Sequence, residues 1–313
     1  MKKSLVYGPV PSRRLGRSLG VDLVQYKVCT FDCIYCQLGS TSATTLKRRS
    51  YVGADAVLAD ISRCLESGAA PDYITLAGSG EPTLNSSIKE VIKGIKAFSE
   101  IPVAVLTNGS LLGLPEVAES LLEADVVAPS LDAYDEKTFA LINRPDPSIS
   151  YDAVVSGLEA FRKVYSGSIW LEVFLVAGIN DTPFAMSEFS SAIEPIRPDK
   201  IHVNTAVRPP AFPGTGRVDK KRLADLAAML GNKAEVIAEF RAKGGQDDAD
   251  SNIETKILNL LARRPCTIDG MAGGLNLHTA EILKYLDAMI QDGRVIILPA
   301  GEETYYQTKV ETD

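Results

Sequence analysis

The chain has 313 residues, of which 45% are hydrophobic and 23% are charged, and its formal net charge is −7. This composition suits a folded protein with one large core and a small second one, and the absence of any run of about 20 apolar residues predicts that no segment spans a membrane. The N-terminus lacks the apolar stretch of a secretory signal, so we expect a cytoplasmic protein whose thiols stay reduced.

Between residues 19 and 205, short β-rich runs alternate with helical runs, which is the pattern of βα units around a parallel sheet. Six strands are predicted, over 19–25, 73–78, 103–108, 125–131, 168–176 and 200–204. Helices are predicted between them, over 54–66, 86–99, 115–123, 151–164 and 184–194. Because six βα units are fewer than the eight of a closed barrel, the sequence predicts an α/β fold built as a partial, open (β/α)6 barrel.

The rest of the chain divides into three parts. A proline-rich loop and a helix near 219–230 extend the barrel domain, which we place at 1–240 together with its basic N-terminal segment. Residues 241–252 have the polar, glycine-containing composition of a linker. Residues 253–313, called the terminal module below, are predicted to form three helices and a hairpin, an order that resembles a winged helix-turn-helix.

Three of the five cysteines, Cys29, Cys33 and Cys36, lie within eight residues. Structural zinc normally takes four ligands, often as two separated pairs, and this sequence has no second pair. A [4Fe–4S] cluster has four irons and commonly four cysteine ligands. Three cysteines on one loop therefore predict a cluster in which one iron keeps an open position for another ligand. Cys64 and Cys266 stand alone and are expected to be buried as small apolar side chains.

The C-x3-C-x2-C spacing, with the aromatic Tyr35 before the last cysteine, resembles that of the radical S-adenosylmethionine superfamily. The resemblance implies that S-adenosylmethionine chelates the fourth iron through its amino and carboxylate groups. An electron from the cluster, delivered by a reductant such as flavodoxin or ferredoxin, then splits the sulfonium bond. The 5′-deoxyadenosyl radical abstracts hydrogen from the substrate, so the cofactor carries a step that ordinary acid–base side chains cannot perform.

A glycine-rich turn, LAGSGEPTL, follows the second predicted strand. Gly78 and Gly80 are expected to let the backbone approach a ligand, while Glu81 and Pro82 fix the turn. The segment resembles the Gly-Gly-Glu segment that pairs with the cofactor's amino group in the superfamily, with Ser79 in place of the middle glycine.

The other strand ends carry polar residues where the active face of a barrel should lie. The resemblance implies further cofactor contacts from the cysteine motif and from these ends: Tyr35, Asn108, Ser130, Asp132, Asn180 and Asn204. Glu172, His202 and Asn204 are expected on the lumen face, because strand side chains alternate. There they indicate either a substrate cavity or polar residues with a structural role.

Segments 7–23 and 204–212 resemble one subgroup, the proteins related to wyosine-base (tRNA) synthases. The wyosine synthases carry upstream cysteines for a second cluster, and no cysteine precedes Cys29 in this chain. The resemblance makes a tRNA base the first substrate class. The net charge of +7 over residues 1–50 agrees with an acidic or phosphate-bearing partner, although a solvated basic face explains it equally well.

The terminal module is acidic, with a net charge of −4 over residues 250–313. Because binding to nucleic-acid phosphates needs clustered cations, we expect the module to present a partner or substrate rather than to bind DNA. A peptide is therefore the second substrate class. The alternative hypothesis is a non-enzymatic iron–sulfur redox regulator that acts through this module. It explains the three cysteines but neither the glycine-rich turn nor the polar strand ends.

Overall fold

The computed structural model describes residues 5–41, 43–207, 210–212, 214–237, 253–275, 277, 279–300 and 303–309. The predicted linker over 241–252 lies outside the described residues. The strands are β1 (Val6–Ser12), β2 (Gly16–Asp22), β3 (Tyr73–Ala77), β4 (Val103–Thr107), β5 (Val126–Pro129), β6 (Ser168–Leu175), β7 (Lys200–Thr205), β8 (Ala234–Val236), β9 (Val295–Ala300) and β10 (Glu303–Thr308). The α-helices are α1 (Ala54–Glu66), α2 (Ile88–Phe98), α3 (Pro115–Ser120), α4 (Glu136–Ile142), α5 (Tyr151–Val164), α6 (Pro183–Ile196), α7 (Lys220–Met229), α8 (Ile253–Leu261), α9 (Ile268–Leu275) and α10 (Thr279–Gln291).

Strands β1 to β8 form one sheet in chain order. β1 pairs with β2 in antiparallel fashion, and every later pair in this sheet is parallel. The parallel strands read as nearly continuous apolar runs because both of their faces are buried, one by the helices and the other in part by the β1–β2 turn. The carboxyl ends of β2 to β7 therefore open at a single edge of the sheet, and loops from these ends can meet there.

The six predicted strands are all present as β2 to β7, but the sheet has eight strands in the described part of the chain rather than six. The sequence did not predict β1, because Pro9 and Pro11 argue against a strand. An edge strand tolerates proline, since one side of its backbone donates to no neighbour, and β1 is an edge strand. The short β8 forms the opposite edge and lies in the run up to Phe240 that the sequence left open as helical or strand-like. The helix α4 was not predicted.

The turn between β1 and β2 reaches deep into the concave side of the sheet. Leu15 is buried against Ala104 of β4 and Val126 of β5. Arg13 and Arg14, beside it, hydrogen-bond to side chains on β7 and β6. In a flat sheet with strands about 4.8 Å apart, β2 and β7 would be roughly 24 Å apart, which a single side chain cannot span. The sheet is therefore strongly curved around this turn.

The convex face of the sheet carries the main core. Helix α2 buries Ile88, Ile92 and Ile95 completely, and α5 buries Leu158 and Phe161 in the same way. These positions recur every three or four residues, so each helix turns one apolar stripe toward the sheet. This packing fixes the strands and, through them, the loops at their carboxyl ends.

The terminal module contains α8, α9, α10 and the hairpin β9–β10, as the sequence predicts. Its apolar core includes Ile257, Met271 and Leu286, and Val10 of β1 belongs to the same core. The module therefore packs against the outer side of the edge strand. Its identity as a winged helix stays a prediction. No helix in the described ranges combines the length and the apolar character needed to cross a membrane.

Gly157 of α5 allows a close approach between that helix and the chain at Gly113. A Cβ at position 157 would lie 2.8 Å from the Gly113 nitrogen and 3.1 Å from its Cα. Alanine normally stabilises a helix by about 0.5–1 kcal/mol over glycine, but this contact with backbone cannot yield cheaply. We predict that Gly157→Ala lowers the free energy of unfolding by about 1–3 kcal/mol, measured by denaturant titration.

Gly53, ahead of α1, provides the control, because a Cβ there would meet nothing within 4 Å. Gly53 is the N-cap of α1, where alanine is less favourable than glycine, so Gly53→Ala should lower the free energy of unfolding by no more than about 1 kcal/mol. Equal stability of Gly157→Ala and the natural protein would show that the two segments can separate without cost.

Candidate functional site

The three clustered cysteines lie in the loop that follows β2, at the carboxyl edge of the sheet. We call residues 25–41 the cysteine loop. Each cysteine sulfur accepts a hydrogen bond from a different side-chain nitrogen: Lys27 Nζ lies 3.3 Å from Cys36 Sγ, Asn108 Nδ2 lies 3.6 Å from Cys29 Sγ, and Asn143 Nδ2 lies 3.5 Å from Cys33 Sγ. Such donors stabilise the thiolate form that a metal requires.

Burial shapes the chemistry of the cysteine sulfurs. Three thiolates on one loop suit an iron–sulfur cluster, which holds each of its thiolates on a separate iron. Burial raises the pKa of Cys29 to about 12 and raises the pKa of Cys33 well above its ordinary value. Burial alone would therefore keep both thiols protonated, and bound cations would be needed to hold them as thiolates.

The glycine-rich turn, residues 78–82, packs directly beneath the cysteine loop. The Lys27 amide donates to the Ser79 carbonyl at 2.6 Å, and the Glu81 amide donates to the Val28 carbonyl at 2.9 Å. A Cβ on Gly80 would lie 2.0 Å from that Val28 carbonyl oxygen. The expectation that Gly80 makes room for a ligand is therefore corrected, because the glycine makes room for the cysteine loop itself.

Gly78 has a comparable role toward Asp22 at the end of β2. Its φ is +112°, and a Cβ there would lie 1.9 Å from Asp22 Oδ1. Asp22 accepts hydrogen bonds from the Ser79 amide at 3.0 Å and from the Ser79 hydroxyl at 3.1 Å. It also forms an ion pair with Arg263 of the terminal module at 3.2 Å, with both side chains buried. Asp22 thus holds the glycine-rich turn in place, although the sequence did not identify it as a site residue.

Glu81 is buried and already has four protein donors. Its Oε1 accepts from the Thr83 amide, the Thr83 hydroxyl and the Thr107 hydroxyl at 3.0, 2.6 and 2.7 Å. Its Oε2 accepts from the Asn108 amide at 2.7 Å. Burial raises the pKa of this carboxyl, and the hydrogen bonds oppose the rise. Because a carboxylate has about four acceptor sites and Oε1 takes three donors, further contacts must go to Oε2.

Asp132, at the end of β5, holds the cysteine loop from the other side. Its Oδ2 accepts from the Tyr35 hydroxyl and from Asn143 Nδ2 at 2.8 Å, and its Oδ1 accepts from the Phe174 amide at 3.0 Å. Burial raises the pKa of Asp132 to about 6. The Tyr35 ring stacks on Phe174 with a centroid distance of 3.9 Å. Asn143 also donates to Cys33. It belongs to no recognisable motif and follows a helix that was not predicted, so the sequence did not identify it as a site residue.

Asn180 does not lie free in the site. It is fully buried, and its Nδ2 donates to the Asp132 and Phe174 carbonyls, each at 2.8 Å. Its Oδ1 accepts from the Val176 amide at 2.7 Å. Both amide hydrogens are therefore used by the backbone, and in this arrangement the side chain supports Asp132 rather than offering a donor to a ligand.

A cavity of about 1160 Å³ opens beside the cysteine loop. Of the predicted site residues, its walls include Tyr35, Cys36, Gly78, Ser130 and Asn204. The remaining predicted residues adjoin this lining without being part of it: Cys29, Cys33, Gly80, Glu81, Pro82, Asn108, Asp132 and Asn180. The structure thus brings all of the predicted residues to one edge of the sheet, and five of them line the cavity.

A charged network occupies one side of this cavity. Arg14 pairs with Glu172, and Asn204 donates to the other oxygen of Glu172 at 2.8 Å. Arg13 donates to Asn204 Oδ1 at 2.9 Å. Burial would raise the pKa of Glu172, but Arg14 and Asn204 hold it below its ordinary value. In the sequence the two arginines are visible only as part of a basic segment.

His202 does not line the cavity, whereas Glu172 on the neighbouring strand and Asn204 on the same strand do. The ring is buried against Trp170, and Nε2 lies 3.1 Å from Glu235 Oε1 of β8. Burial lowers the pKa of His202. Of the two roles that the sequence allows for this residue, the structure supports the structural one.

Tyr35→Phe should loosen the cysteine loop, because it removes the hydroxyl that binds the buried Asp132. We predict a loss of about 1.5–3 kcal/mol in stability, the typical contribution of a hydrogen bond to a charged group. We also predict that the reconstituted variant loses iron to a chelator faster than the natural protein does. Tyr26→Phe is the matched control, since its exposed hydroxyl donates only to the Leu38 carbonyl of the same loop. Equal rates of iron loss from both variants would contradict this role of Tyr35.

Comparison with known proteins agrees with this geometry. Residues 23–187, more than half of the chain, match the Radical SAM superfamily. A UPF0026 protein of Methanocaldococcus jannaschii is 29% identical over 316 residues, which covers 99% of this chain and 97% of that protein. A protein of Brachyspira hyodysenteriae named GTPase Obg is 38% identical over 302 residues, but these are 94% of this chain and only 44% of that protein. The activity in its name is therefore not carried over to this chain.

The fold also has a counterpart among solved structures. The crystal structure of a radical SAM methyltransferase from Sphaerobacter thermophilus superimposes with a TM-score of 0.55, covering 70% of this chain and 65% of that chain. The sequence identity is 18%, so this likeness concerns the fold alone.

Proposed function

The chain belongs to the radical SAM superfamily, and on this premise we propose that it modifies a tRNA base or a peptide by hydrogen abstraction. It is a radical SAM enzyme, and its cofactors are a [4Fe–4S] cluster and S-adenosylmethionine. When bound, these cofactors supply the reductive cleavage of S-adenosylmethionine and the radical that abstracts hydrogen from the substrate. Cys29, Cys33 and Cys36 would hold the cluster.

One observation carries the proposal: the three cysteine sulfurs, each with its own N–H donor, lie in a loop whose last cysteine, Cys36, borders the large cavity. A cluster bound there would face the space in which a cofactor and a substrate can meet. The alternative of a purely regulatory cluster would not require such a cavity.

The contacts with S-adenosylmethionine are part of this proposal. Tyr35, Gly78, Ser130 and Asn204 are proposed to contact it directly, since they line the cavity. Glu81 is proposed to reach the cofactor's amino group through Oε2, which has one protein donor. Supporting roles are proposed for Gly80, Pro82, Asn108, Asp132 and Asn180, which hold the turn, the loop and the strand ends in register.

The finer description of the fold is likewise proposed. Strands β2 to β7 and their helices would form the partial (β/α)6 barrel, a description supported by the strong curvature of the sheet. The terminal module would be a winged-helix-like unit, supported by its order of three helices and a hairpin. In this arrangement residues 1–240 contain the chemistry, and the terminal module presents the substrate.

The substrate classes follow from resemblance to the proteins related to wyosine-base synthases, which places a tRNA base first and a peptide second. The basic segment over residues 1–50 supports an acidic partner. We also propose that the enzyme works in the cytoplasm, where a flavodoxin or ferredoxin can reduce the cluster. The free state of all five cysteines agrees with a reducing compartment.

Anaerobic reconstitution tests the central part of this proposal. The natural protein should bind about four irons per chain, and with dithionite it should convert S-adenosylmethionine to 5′-deoxyadenosine. Cys33→Ala should lose both the cluster and the cleavage, because each cluster-binding cysteine serves its own iron. The measurements are iron content and 5′-deoxyadenosine formation by chromatography.

Cys64→Ala is the control for that variant. Cys64 lies half-buried on α1 and outside the cysteine loop, so its variant should retain iron and cleavage. Full iron content in Cys33→Ala, or its loss in Cys64→Ala, would refute the assignment of the cluster ligands.

Glu81→Gln tests the proposed contact with the cofactor, since it keeps the size of the side chain and removes its charge. We predict an affinity for S-adenosylmethionine that is roughly tenfold to a hundredfold weaker, as expected for a lost charge-assisted hydrogen bond, with unchanged iron content. Glu100→Gln, at an exposed position, should bind the cofactor like the natural protein. If Glu81→Gln also binds normally by calorimetry, the carboxylate of Glu81 has only a structural role.

A further inference from the structure

The cavity beside the cysteine loop has a volume of about 1160 Å³, above the roughly 300–1000 Å³ that is typical of a pocket for one small molecule. A bound cluster would take up only the part of this space next to Cys36. One wall comes from the cysteine loop and the strand ends, through residues such as Tyr35 and Ser130. The opposite wall comes from the terminal module, through residues such as Arg264 and Thr267. A second ligand can therefore lie between the cofactor and the terminal module.

Four arginines line this cavity, and two of them are neutralised within the protein. Arg14 pairs with Glu172, and Arg263 pairs with Asp22. The other two, Arg13 and Arg264, form no ion pair with any carboxylate among the described residues. Among the described residues, the Arg13 guanidinium donates a hydrogen bond only to the uncharged Oδ1 of Asn204.

The carboxylates that also line the cavity do not change this balance. Glu303 accepts a hydrogen bond from the Tyr305 hydroxyl at 2.5 Å. Asp269 is exposed to solvent, and neither carboxylate pairs with Arg13 or Arg264 in the described part of the chain. The two guanidinium groups that form no ion pair come from different elements of the lining, Arg13 from the β1–β2 turn and Arg264 from the terminal module.

The charges of Arg13 and Arg264 repel each other. Burial lowers the pKa of Arg13, the negative charge of Glu172 opposes this, and the charges of Arg14 and Arg264 lower it further. Glu172 already pairs with Arg14, so an anion bound between Arg13 and Arg264 would offset more of the cost of burying the Arg13 guanidinium. The first turn of α9, residues 268–270, lines the same cavity, and a helix N-terminus adds a favourable field for negative charge.

We propose that the cavity binds the substrate through an oxyanion, a phosphate or carboxylate group, held between Arg13 and Arg264. The planar guanidinium group is well suited to both kinds of oxyanion, because it donates two parallel hydrogen bonds. The inference relies on the proposed function in one respect, that the bound ligand is the substrate. The existence of the anion site does not depend on the proposed function.

This site departs from the order of substrate classes proposed above: its charges favour a small anionic molecule over the tRNA chain that the resemblance places first. The terminal module, which supplies Arg264, has a net charge of −4 over residues 250–313 and would repel an extended phosphate backbone. The cavity lies between the module and the sheet, so it suits a ligand whose charged group enters between these two walls.

The test titrates the full-length protein with two probes, inorganic phosphate and succinate, in the presence of S-adenosylmethionine and at low salt. At least one anion should bind to the natural protein. Arg264→Met should weaken that binding by roughly tenfold to a hundredfold, the effect of a charge-assisted hydrogen bond. Arg264→Lys, which keeps the charge but not the paired donors, should weaken it less than Arg264→Met does. Phosphate binding without succinate binding would identify a phosphate-bearing substrate, and the reverse would identify a carboxylate.

Two controls separate this site from others. Arg63→Met removes a charge on the exposed face of α1, where Arg63 pairs with Asp60, and should bind the anions normally. The affinity of Arg264→Met for S-adenosylmethionine should match that of the natural protein. If Arg264→Met is unstable, Arg13→Met provides the same test from the other wall.

The proposal is overturned if neither anion binds, or if Arg264→Met binds both normally. A parallel loss of affinity for S-adenosylmethionine would overturn it too, because the arginine would then serve the cofactor. Binding of single-stranded RNA without binding of either small anion would instead indicate a macromolecular substrate. Failure of the proposed function would appear differently, as absent 5′-deoxyadenosine formation in a protein that still binds the anion.

Discussion

The cysteine loop depends on buried carboxylates at the ends of the neighbouring strands. Its described residues form no helix and no strand of the sheet, so backbone pairing does not determine its shape. Asp132 binds Tyr35 and Asn143, and Glu81 binds the amide of Asn108. Burying a carboxylate is costly unless hydrogen bonds compensate it, and each of these has at least three donors. The positions of the sulfur atoms follow from this arrangement.

Two ion pairs, one half-buried and one buried, connect this loop region to the rest of the molecule. Arg14 links the β1–β2 turn to Glu172 on β6, and Arg263 links the terminal module to Asp22 at the end of β2. Removing one partner of a buried pair such as Arg263–Asp22 commonly costs about 3–5 kcal/mol, so this pair in particular restricts how the elements can be arranged. The terminal module is thereby fixed as one wall of the cavity. Asp22 accepts hydrogen bonds from both Ser79 and Arg263, so it connects the glycine turn to the terminal module.

The sequence predicted the repeated elements well because βα units have a strong local pattern. All of β2 to β7 follow from their apolar runs. The three clustered cysteines indicated a cluster with an open iron position, and the resemblance of their spacing to the superfamily motif implied the cofactor. The sequence could not show which partner a glycine serves. Gly80 accommodates the Val28 carbonyl and not a ligand, since that contact joins distant segments. Asn180 and Arg13 illustrate the same limit. The Asn180 side chain donates to the backbone, and the Arg13 side chain reaches Asn204 across the curved sheet. Both contacts depend on tertiary structure, so the sequence alone does not reveal them.

The central claim is that three cysteines hold a cluster with one iron left for S-adenosylmethionine. The most direct measurement is the electron paramagnetic resonance spectrum of the reduced, reconstituted protein with and without this cofactor. A cofactor bound to the non-cysteine iron changes the electronic environment of the cluster, so the account predicts a clear change in the spectrum at saturating S-adenosylmethionine. An identical spectrum in both conditions would contradict the account.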